Sequence, residues 1–173
     1  FVGVDVFFVL SGYLITRLLL AELREKGRLD LPAFYARRAR RLVPAALLTV
    51  VVTLAASWLV LPPLSQAAAV RTGAAAAAYW SNLRFAFEAG DYFGEDLGDD
   101  PLLHTWSLAV EEQFYLAWPL LVAGAAWLGR RRPAAVPLTL AGVTLVSFLA
   151  SLHLTREAPH WAFFGPHSRA WEF

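Results

Sequence analysis

The chain contains no cysteine and no methionine among its 173 residues, and only 17% of its residues are charged. Without cysteine, neither disulfide bonds nor thiolate metal sites can form. Because there is no methionine, Phe1 is not an initiator residue, and we expect the sequence to be part of a longer protein. The low charge argues against a soluble globular domain, in which about a quarter of the residues are charged.

Hydrophobic residues make up 58% of the chain, and several runs contain no charge at all. A helix needs roughly 20 mostly apolar residues to cross a bilayer. We therefore predict an all-α, polytopic transmembrane helix bundle with about four spans, at 2–20, 42–61, 108–128 and 134–154. The alanine-rich stretch 66–87 is too short and too polar for a lipid-facing span, and we expect a partly buried helix there.

The charges of the connecting segments predict how the chain is oriented in the membrane. Residues 21–41 carry seven basic and three acidic side chains, and 130–132 are three consecutive arginines. Because basic loops stay in the cytoplasm, we predict that 21–41 and 130–133 are cytoplasmic and that 62–107 is extracytoplasmic. The net charge of +1 gives no indication of a nucleic-acid partner.

One stretch, PLLHTWSLAVEEQFYLAWP at 101–119, places two adjacent carboxylates at the start of an apolar run. We predict that Ser107 caps a helix there, which puts Glu111 and Glu112 near its positive end. Ionisable groups within a membrane segment are candidates for a functional site. The alternative is a capped helix start whose acids lie at the membrane interface.

The two glutamates are not expected to be equivalent, because neighbouring residues on a helix point about 100° apart. We predict that Glu111 faces the interior, on a face shared with His104 and Tyr115. Its partner would be Arg84, His104 or a residue outside this sequence. Glu112 would then lie at the boundary and interact only with the helix dipole.

The first predicted span contains polar residues that could line a groove. Asp5 is either solvated at the interface or paired within the bundle, and the residues leave this open. Ser11 is small, so close helix packing is the alternative to ligand contact. The full set of substrate-groove candidates is Asp5, Ser11, Tyr13, Arg84 and Tyr115.

Five sequence blocks occur in a characteristic order: GVDVFFVLSGYLIT at 3–16, FYARRARRLVPA at 34–45, YWSNLRF with DYF at 79–85 and 91–93, LLHTWSLAVEEQFYLAWP at 102–119, and RAWEF at 169–173. Together they resemble the bacterial acyltransferase-3 family, whose members O-acylate peptidoglycan, lipopolysaccharide and other glycans. The resemblance covers nearly the whole chain. It implies a multi-pass enzyme of the bacterial plasma membrane.

The resemblance also implies the reactants. The donor would be a cytosolic acyl-CoA, above all acetyl-CoA, used as a co-substrate, and no bound cofactor or metal is expected. The partners would be membrane lipid, a glycan acceptor and, in the full-length protein, a C-terminal extracytoplasmic domain of the SGNH type, with no nucleic acid. The family's essential histidine would lie on a helix that precedes this sequence.

The family's cytoplasmic RxxR motif matches twice in the second block, which implies a donor-binding group made of Arg37, Arg38, Arg40 and Arg41. The guanidinium fork suits the phosphates of acyl-CoA because it binds them bidentately and stays charged. The alternative role for this cluster is an anchor on anionic lipid.

O-acylation requires a base for the acceptor hydroxyl and donors for the oxyanion. Within the blocks, His104 with Glu111 or Glu112 is the only grouping of a histidine with a carboxylate. These three are our candidate catalytic residues, and the alternative for His104 is an interfacial, hydrogen-bonded side chain.

Two other functions fit a polar groove inside a membrane bundle. One is a transporter or flippase for a lipid-linked saccharide or acyl donor, which would favour repeats related by internal symmetry. The other is a non-catalytic membrane subunit that recruits a partner.

Overall fold

The computed structural model describes residues 2–90, 100–129 and 134–173. Its elements in chain order are α1 (Val2–Lys26), α2 (Leu31–Val60), α3 (Pro63–Ala77), α4 (Ser81–Ala89), α5 (Thr105–Gly129), α6 (Ala135–Glu157), α7 (Pro159–Phe164), α8 (Pro166–Arg169) and a 3₁₀ turn at Ala170–Glu172. The described ranges contain no strand, and the all-α prediction is confirmed.

Three of these helices, α1, α2 and α6, are long and apolar enough to cross a membrane. They correspond to three of the four predicted spans. The fourth is α5, which carries Glu111 and Glu112 and is the most enclosed of the long helices. Eleven of its 25 residues are buried, against three of 30 in α2. Helix α5 is therefore the centre of the bundle, and the others pack around it.

The segment 21–41, predicted as a loop, is mostly helical. Helix α1 continues to Lys26 and ends at Gly27, whose φ of +68° lies in the left-handed region that glycine adopts readily. Asp30 caps α2 by accepting a hydrogen bond from the Ala33 amide at 3.1 Å. Four residues, 27–30, connect the two helices.

The predicted cap of α5 was wrong. The helix begins at Thr105, so Ser107 lies inside its first turn and its hydroxyl donates to the His104 carbonyl at 3.2 Å. The Thr105 hydroxyl donates to the Leu102 carbonyl at 2.7 Å, which fixes the turn that precedes the helix. The helix therefore starts three residues before the predicted start at residue 108.

The alanine-rich stretch forms two helices, α3 and α4, where one was predicted. They are separated at Tyr79, whose φ of 53° is unusual for a residue that has a side chain. The buried residues of α3 are Ala69, Thr72, Gly73 and Ala76, which repeat every three or four positions and form one face. This face packs on α2, and the prediction of partial burial is confirmed.

The apolar core consists of two clusters, and α5 contributes to both. One cluster joins α5 to α1 and α2 through Ile15, Leu19, Phe34, Phe114, Tyr115, Trp118 and Val122. The other joins it to α1, α4 and α7 through Phe8, Phe85, Ala86, Trp106, Val110 and Phe164. Phe173 connects the two, since its ring stacks on Phe114 at 4.0 Å and on Phe8 at 4.6 Å between centroids.

Two sequence predictions fall outside the described residues. They are the acidic part of the predicted extracytoplasmic loop at 91–99, which contains the DYF portion of the third block, and the basic turn at 130–133.

Candidate active site

Four consecutive residues of α5 each contact a different part of the protein. Because successive side chains are about 100° apart, residues 111–114 point in four directions around the helix. Their partners, in order, are Ser11 of α1, Arg38 of α2, Asn82 of α4 and Phe173. The sequence blocks noted above therefore converge on this one turn.

Glu111 is buried, and two hydroxyl groups donate to the same oxygen of its carboxylate. Ser11 Oγ lies 2.6 Å from Glu111 Oε1, and Tyr115 Oη lies 2.7 Å from it. The guanidinium of Arg38 is 4.0 Å from that oxygen as well. A buried carboxylate requires such partners, and here they come from three helices.

Arg38 pairs with the neighbouring carboxylate, Glu112. Arg38 Nη2 lies 2.8 Å from Glu112 Oε1, and Arg38 Nε is 3.2 Å from both carboxylate oxygens. The guanidinium also lies over the Tyr115 ring, 3.1 Å from its centroid. The side chains of Arg38 and Glu112 are 21% and 17% exposed, so this is a largely desolvated ion pair.

The ion pair lies inside the bundle. Arg38 and Glu112 are each two turns into their helices, about 10 Å from the respective starts at Leu31 and Thr105. We predicted Arg38 in a cytoplasmic loop and Glu112 at the membrane boundary with a dipole interaction alone. The prediction for Glu112 was wrong, because α2 begins early enough to bring Arg38 to it.

The inward orientation of Glu111 is confirmed, but neither predicted partner contacts it. Arg84 pairs with Glu88 at 2.6 Å and donates to Thr72 at 3.3 Å. His104 precedes α5, is exposed, and forms no hydrogen bond with either glutamate in the described structure. The helix does not reach back far enough for His104 to share a face with Glu111, and a catalytic role for His104 stays a prediction.

The four arginines of the second block divide into two groups. Arg37, Arg40 and Arg41 are exposed on the surface of α2, whereas Arg38 points inward to Glu112. Arg40 Nε donates to the Ala36 carbonyl at 3.2 Å, a contact that leaves the rest of its guanidinium outside. Three of the four therefore present an open face to a phosphate, and their donor-binding role stays a prediction.

Asp5 is paired, which answers the question that the sequence left open. It lies 3.3 Å from Nη1 of Arg169, and the same nitrogen lies 2.7 Å from Glu172. The guanidinium also donates from Nε to the Phe163 carbonyl at 3.1 Å. Burial raises the pKa of the Glu172 carboxyl, although Arg169 acts in the opposite direction. This second arginine centre connects the RAWEF block to the first block.

Sequence reasoning missed an amide network beside the glutamates. Gln113 donates to the Tyr79 carbonyl and to Asn82 Oδ1, both at 2.8 Å, and Asn82 donates to the Phe164 carbonyl at 3.0 Å. These bonds fix the break between α3 and α4 against α5. A signal was present, since Gln113 and Asn82 are amides within the quoted blocks.

A groove lies on the opposite side of α1 from Ser11. Its volume is about 550 Å³, and α1, α6 and the C-terminal residues line it. Tyr13 is exposed on its wall, and Trp118, which donates to Thr16 at 2.7 Å, forms part of its floor. Tyr13 does not contact the glutamates, and its place in a substrate groove stays a prediction. In the described ranges, no three histidine or acidic side chains are grouped to hold a metal.

Comparisons with known proteins agree with the sequence blocks. The family profile described as the acyltransferase domain matches residues 1–173. The putative peptidoglycan O-acetyltransferase YrhL of Bacillus subtilis is 38% identical over 99% of the chain. The O-acetyltransferase OatA of Staphylococcus aureus is 39% identical over 98%, and the peptidoglycan O-acetyltransferase OatA of Listeria monocytogenes is 36% identical over 99%. The chain spans 27–28% of the length of these relatives. No solved structure matches it.

Proposed function

The chain belongs to the acyltransferase domain family, as its sequence blocks predicted, and we propose that it forms part of a bacterial membrane O-acyltransferase. The enzyme would move an acetyl group from a cytosolic acyl-CoA to a hydroxyl of peptidoglycan or a related cell-envelope glycan. The relatives named as peptidoglycan O-acetyltransferases support this acceptor. The observation that carries the proposal is the buried Ser11–Glu111–Tyr115 group at the point where the family blocks meet.

Glu111 is the general base of the proposed reaction. Both hydroxyl bonds and the Arg38 contact fall on Oε1, and Oε2 accepts no hydrogen bond from the described residues. Oε2 can therefore take the proton of an acceptor hydroxyl, while Ser11 and Tyr115 hold the carboxylate in one orientation. Proton transfer by a positioned side chain typically raises the rate by about 10²- to 10⁴-fold.

The Arg38–Glu112 pair positions this base. Arg38 contacts both glutamates and the Tyr115 ring, so it fixes the carboxylate and the hydroxyl in a common arrangement. The donor would be bound elsewhere, by the exposed Arg37, Arg40 and Arg41, whose forks suit the phosphates of acyl-CoA. This division of roles separates Arg38 from the rest of the motif.

The experiment follows label from donor to glycan. Membranes that carry the full-length protein are given isotope-labelled acetyl-CoA, and the label is measured in purified peptidoglycan. We expect transfer by the wild type and a loss of about 100-fold or more in Glu111→Gln at unchanged protein level. The exposed Glu25→Gln on α1 is the matched control and should retain full transfer. If Glu111→Gln transfers as much label as the wild type, Glu111 is not the general base. If the wild type transfers no label, the proposed donor or the proposed acceptor is wrong.

The proposal includes a multi-pass topology in the plasma membrane, with 21–41 and 130–133 in the cytoplasm. Lys26 and Glu157 are exposed at the ends of α1 and α6, two helices of spanning length. Cysteines at these positions should react with an impermeant thiol reagent from opposite sides of the membrane, since the natural chain has no cysteine. Reaction of both from the same side would contradict the topology.

A further inference from the structure

The groove of about 550 Å³ has a wall on each of two membrane-length helices. Val9 and Leu20 are among the apolar residues on the α1 side, and Leu140 is on the α6 side. From Val9 to Arg24 the α1 wall is about 22 Å long, most of the roughly 30 Å hydrocarbon thickness of a bilayer. The apolar residues of these walls suit hydrocarbon chains.

Two arginines, Arg17 and Arg24, lie in the half of this wall toward the C-terminal end of α1. They are seven residues apart, which places them on one helix face about 10 Å from each other. Both are exposed, and neither forms an ion pair with any residue that the structure describes. The nearby Glu22 is already paired with Lys26 at 3.0 Å.

These arginines differ from those inside the bundle, where Arg38, Arg84 and Arg169 are all paired with carboxylates. An unpaired guanidinium beside an apolar groove lacks an anion, and its fork matches a phosphate. Basic side chains at the membrane surface attract anionic lipid. The charge and the apolar walls therefore point to the same type of molecule.

We propose that this groove binds an anionic glycerophospholipid, with its acyl chains along Val9 and Leu140 and its phosphate held by Arg17 and Arg24. The lipid belongs to the cytoplasmic leaflet, because Arg24 lies in the basic segment 21–41 that the charge pattern places there. The binding requires no turnover, so it is independent of the proposed acyl transfer.

The test measures retained lipid. Full-length protein is reconstituted in bilayers of phosphatidylglycerol and phosphatidylcholine, extracted, and examined by native mass spectrometry. We expect the wild type to retain phosphatidylglycerol in preference to phosphatidylcholine, and the Arg17→Gln/Arg24→Gln variant to retain at least about tenfold less, since two contacts of about 1 kcal/mol each are lost. The control, Arg28→Gln/Arg156→Gln, removes the same charge from exposed sites that do not line the groove.

A second variant tests the apolar wall without changing charge. Thr144 is exposed on the α6 side, and Thr144→Trp should narrow the groove and lower retention. Equal loss in the control variant would show attraction to net charge alone and overturn the site. The site would also be overturned if the wild type retains phosphatidylglycerol and phosphatidylcholine equally. That result is expected if another part of the full-length protein fills the groove. Displacement of the lipid by acyl-CoA in the wild type would assign the groove to the donor instead.

Discussion

The protein has two arginine centres that contain the same charges but differ in the surroundings of their carboxylate oxygens. Arg38 lies between Glu111 and Glu112, and Arg169 lies between Asp5 and Glu172. Each guanidinium is close to an aromatic ring, that of Tyr115 in the first centre and that of Trp106 at 5.7 Å in the second. Each centre has one positive and two negative groups, so charge alone does not distinguish them.

The oxygens that have no partner distinguish the two centres. Oε2 of Glu172 is fully buried and has no hydrogen-bond partner among the residues that the structure describes, whereas Oε2 of Glu111 is not enclosed in this way. Of these two oxygens, only that of Glu172 is enclosed without a hydrogen-bond partner in the described ranges. The first centre joins three helices through residues 74 and 100 positions apart, while the second joins Arg169 to Glu172, three positions on, and to Asp5 of α1. We infer that the first centre takes part in the proposed acyl transfer, whereas the second holds residues 169–172 against α1 through the Asp5–Arg169 contact.

The largest expected effect comes from Arg38. Arg38→Ala leaves Glu112 buried without its cation, and removal of one partner from a buried pair costs about 3–5 kcal/mol. We expect a corresponding loss of stability in mixed-micelle unfolding, lower abundance in the membrane and no measurable acyl transfer. Arg38→Lys keeps the charge but loses the fork, and should recover stability in part.

The control for Arg38 is its neighbour on the same helix. Arg37 is exposed, so Arg37→Ala should change the free energy of unfolding by less than about 0.5 kcal/mol. If Arg38→Ala is as stable as Arg37→Ala, the ion pair contributes nothing to the fold. If Arg38→Ala is stable and also transfers acyl groups normally, the distinction between the two centres fails.

The sequence indicated which residues form the first centre, Arg38, Glu111 and Glu112, but it did not indicate that Arg38 pairs with Glu112. Helix geometry predicted that the two adjacent acids differ, and the face shared with Tyr115 correctly indicated that Glu111 is the inward one, although His104 does not share that face. That Arg38 would be the partner of Glu112 depends on where α2 begins and on how it packs, which a single sequence does not specify. The charge pattern of 21–41 treated Arg38 like the neighbouring arginines. On the helix, however, Arg38 points about 100° away from Arg37, which turns it inward to Glu112 while Arg37 stays exposed.

Helix ends show the same limit. Asp30 was predictable as a cap because it is followed by proline in the first helical turn. At the start of α5, Thr105 and Ser107 are both hydroxyl residues, and the local sequence did not show that the helix begins at Thr105, whose hydroxyl lies 3.0 Å from that of Ser81. The Arg169 centre joins residues 164 positions apart, and no local pattern encodes such a contact.

A smaller effect is expected at Gly12, which tests whether Phe173 joins the two apolar clusters. A Cβ added at Gly12 would overlap the Phe173 backbone, whereas a Cβ at Gly3 on the same helix meets nothing. Gly12→Ala should therefore destabilise the protein by about 1–3 kcal/mol, the usual cost of overpacking. Gly3→Ala should cause no loss. Equal unfolding midpoints for the two variants would show that Phe173 does not hold the clusters together.

The smallest expected effect is the pH response of Glu172 in the second centre. Burial raises the pKa of this carboxyl above its value in the unfolded chain, so the folded protein binds the proton more readily. Stability then rises as pH falls through the interval between the folded and the unfolded pKa, because unfolding must release that proton. Above the folded pKa the buried charge opposes folding. Glu172→Gln removes this dependence.

The measurement compares the apparent melting temperature of the full-length protein at about pH 7.5 and about pH 5, for the wild type and for Glu172→Gln. Other carboxylates also titrate in this interval, so the difference between the two proteins is the informative quantity. Acidification should favour the wild type relative to the variant, and the exposed Glu25→Gln should respond as the wild type does. A wild type that loses more stability on acidification than Glu172→Gln would mean that Arg169 outweighs burial. In that case the second centre, like the first, would depend on its ionised carboxylate.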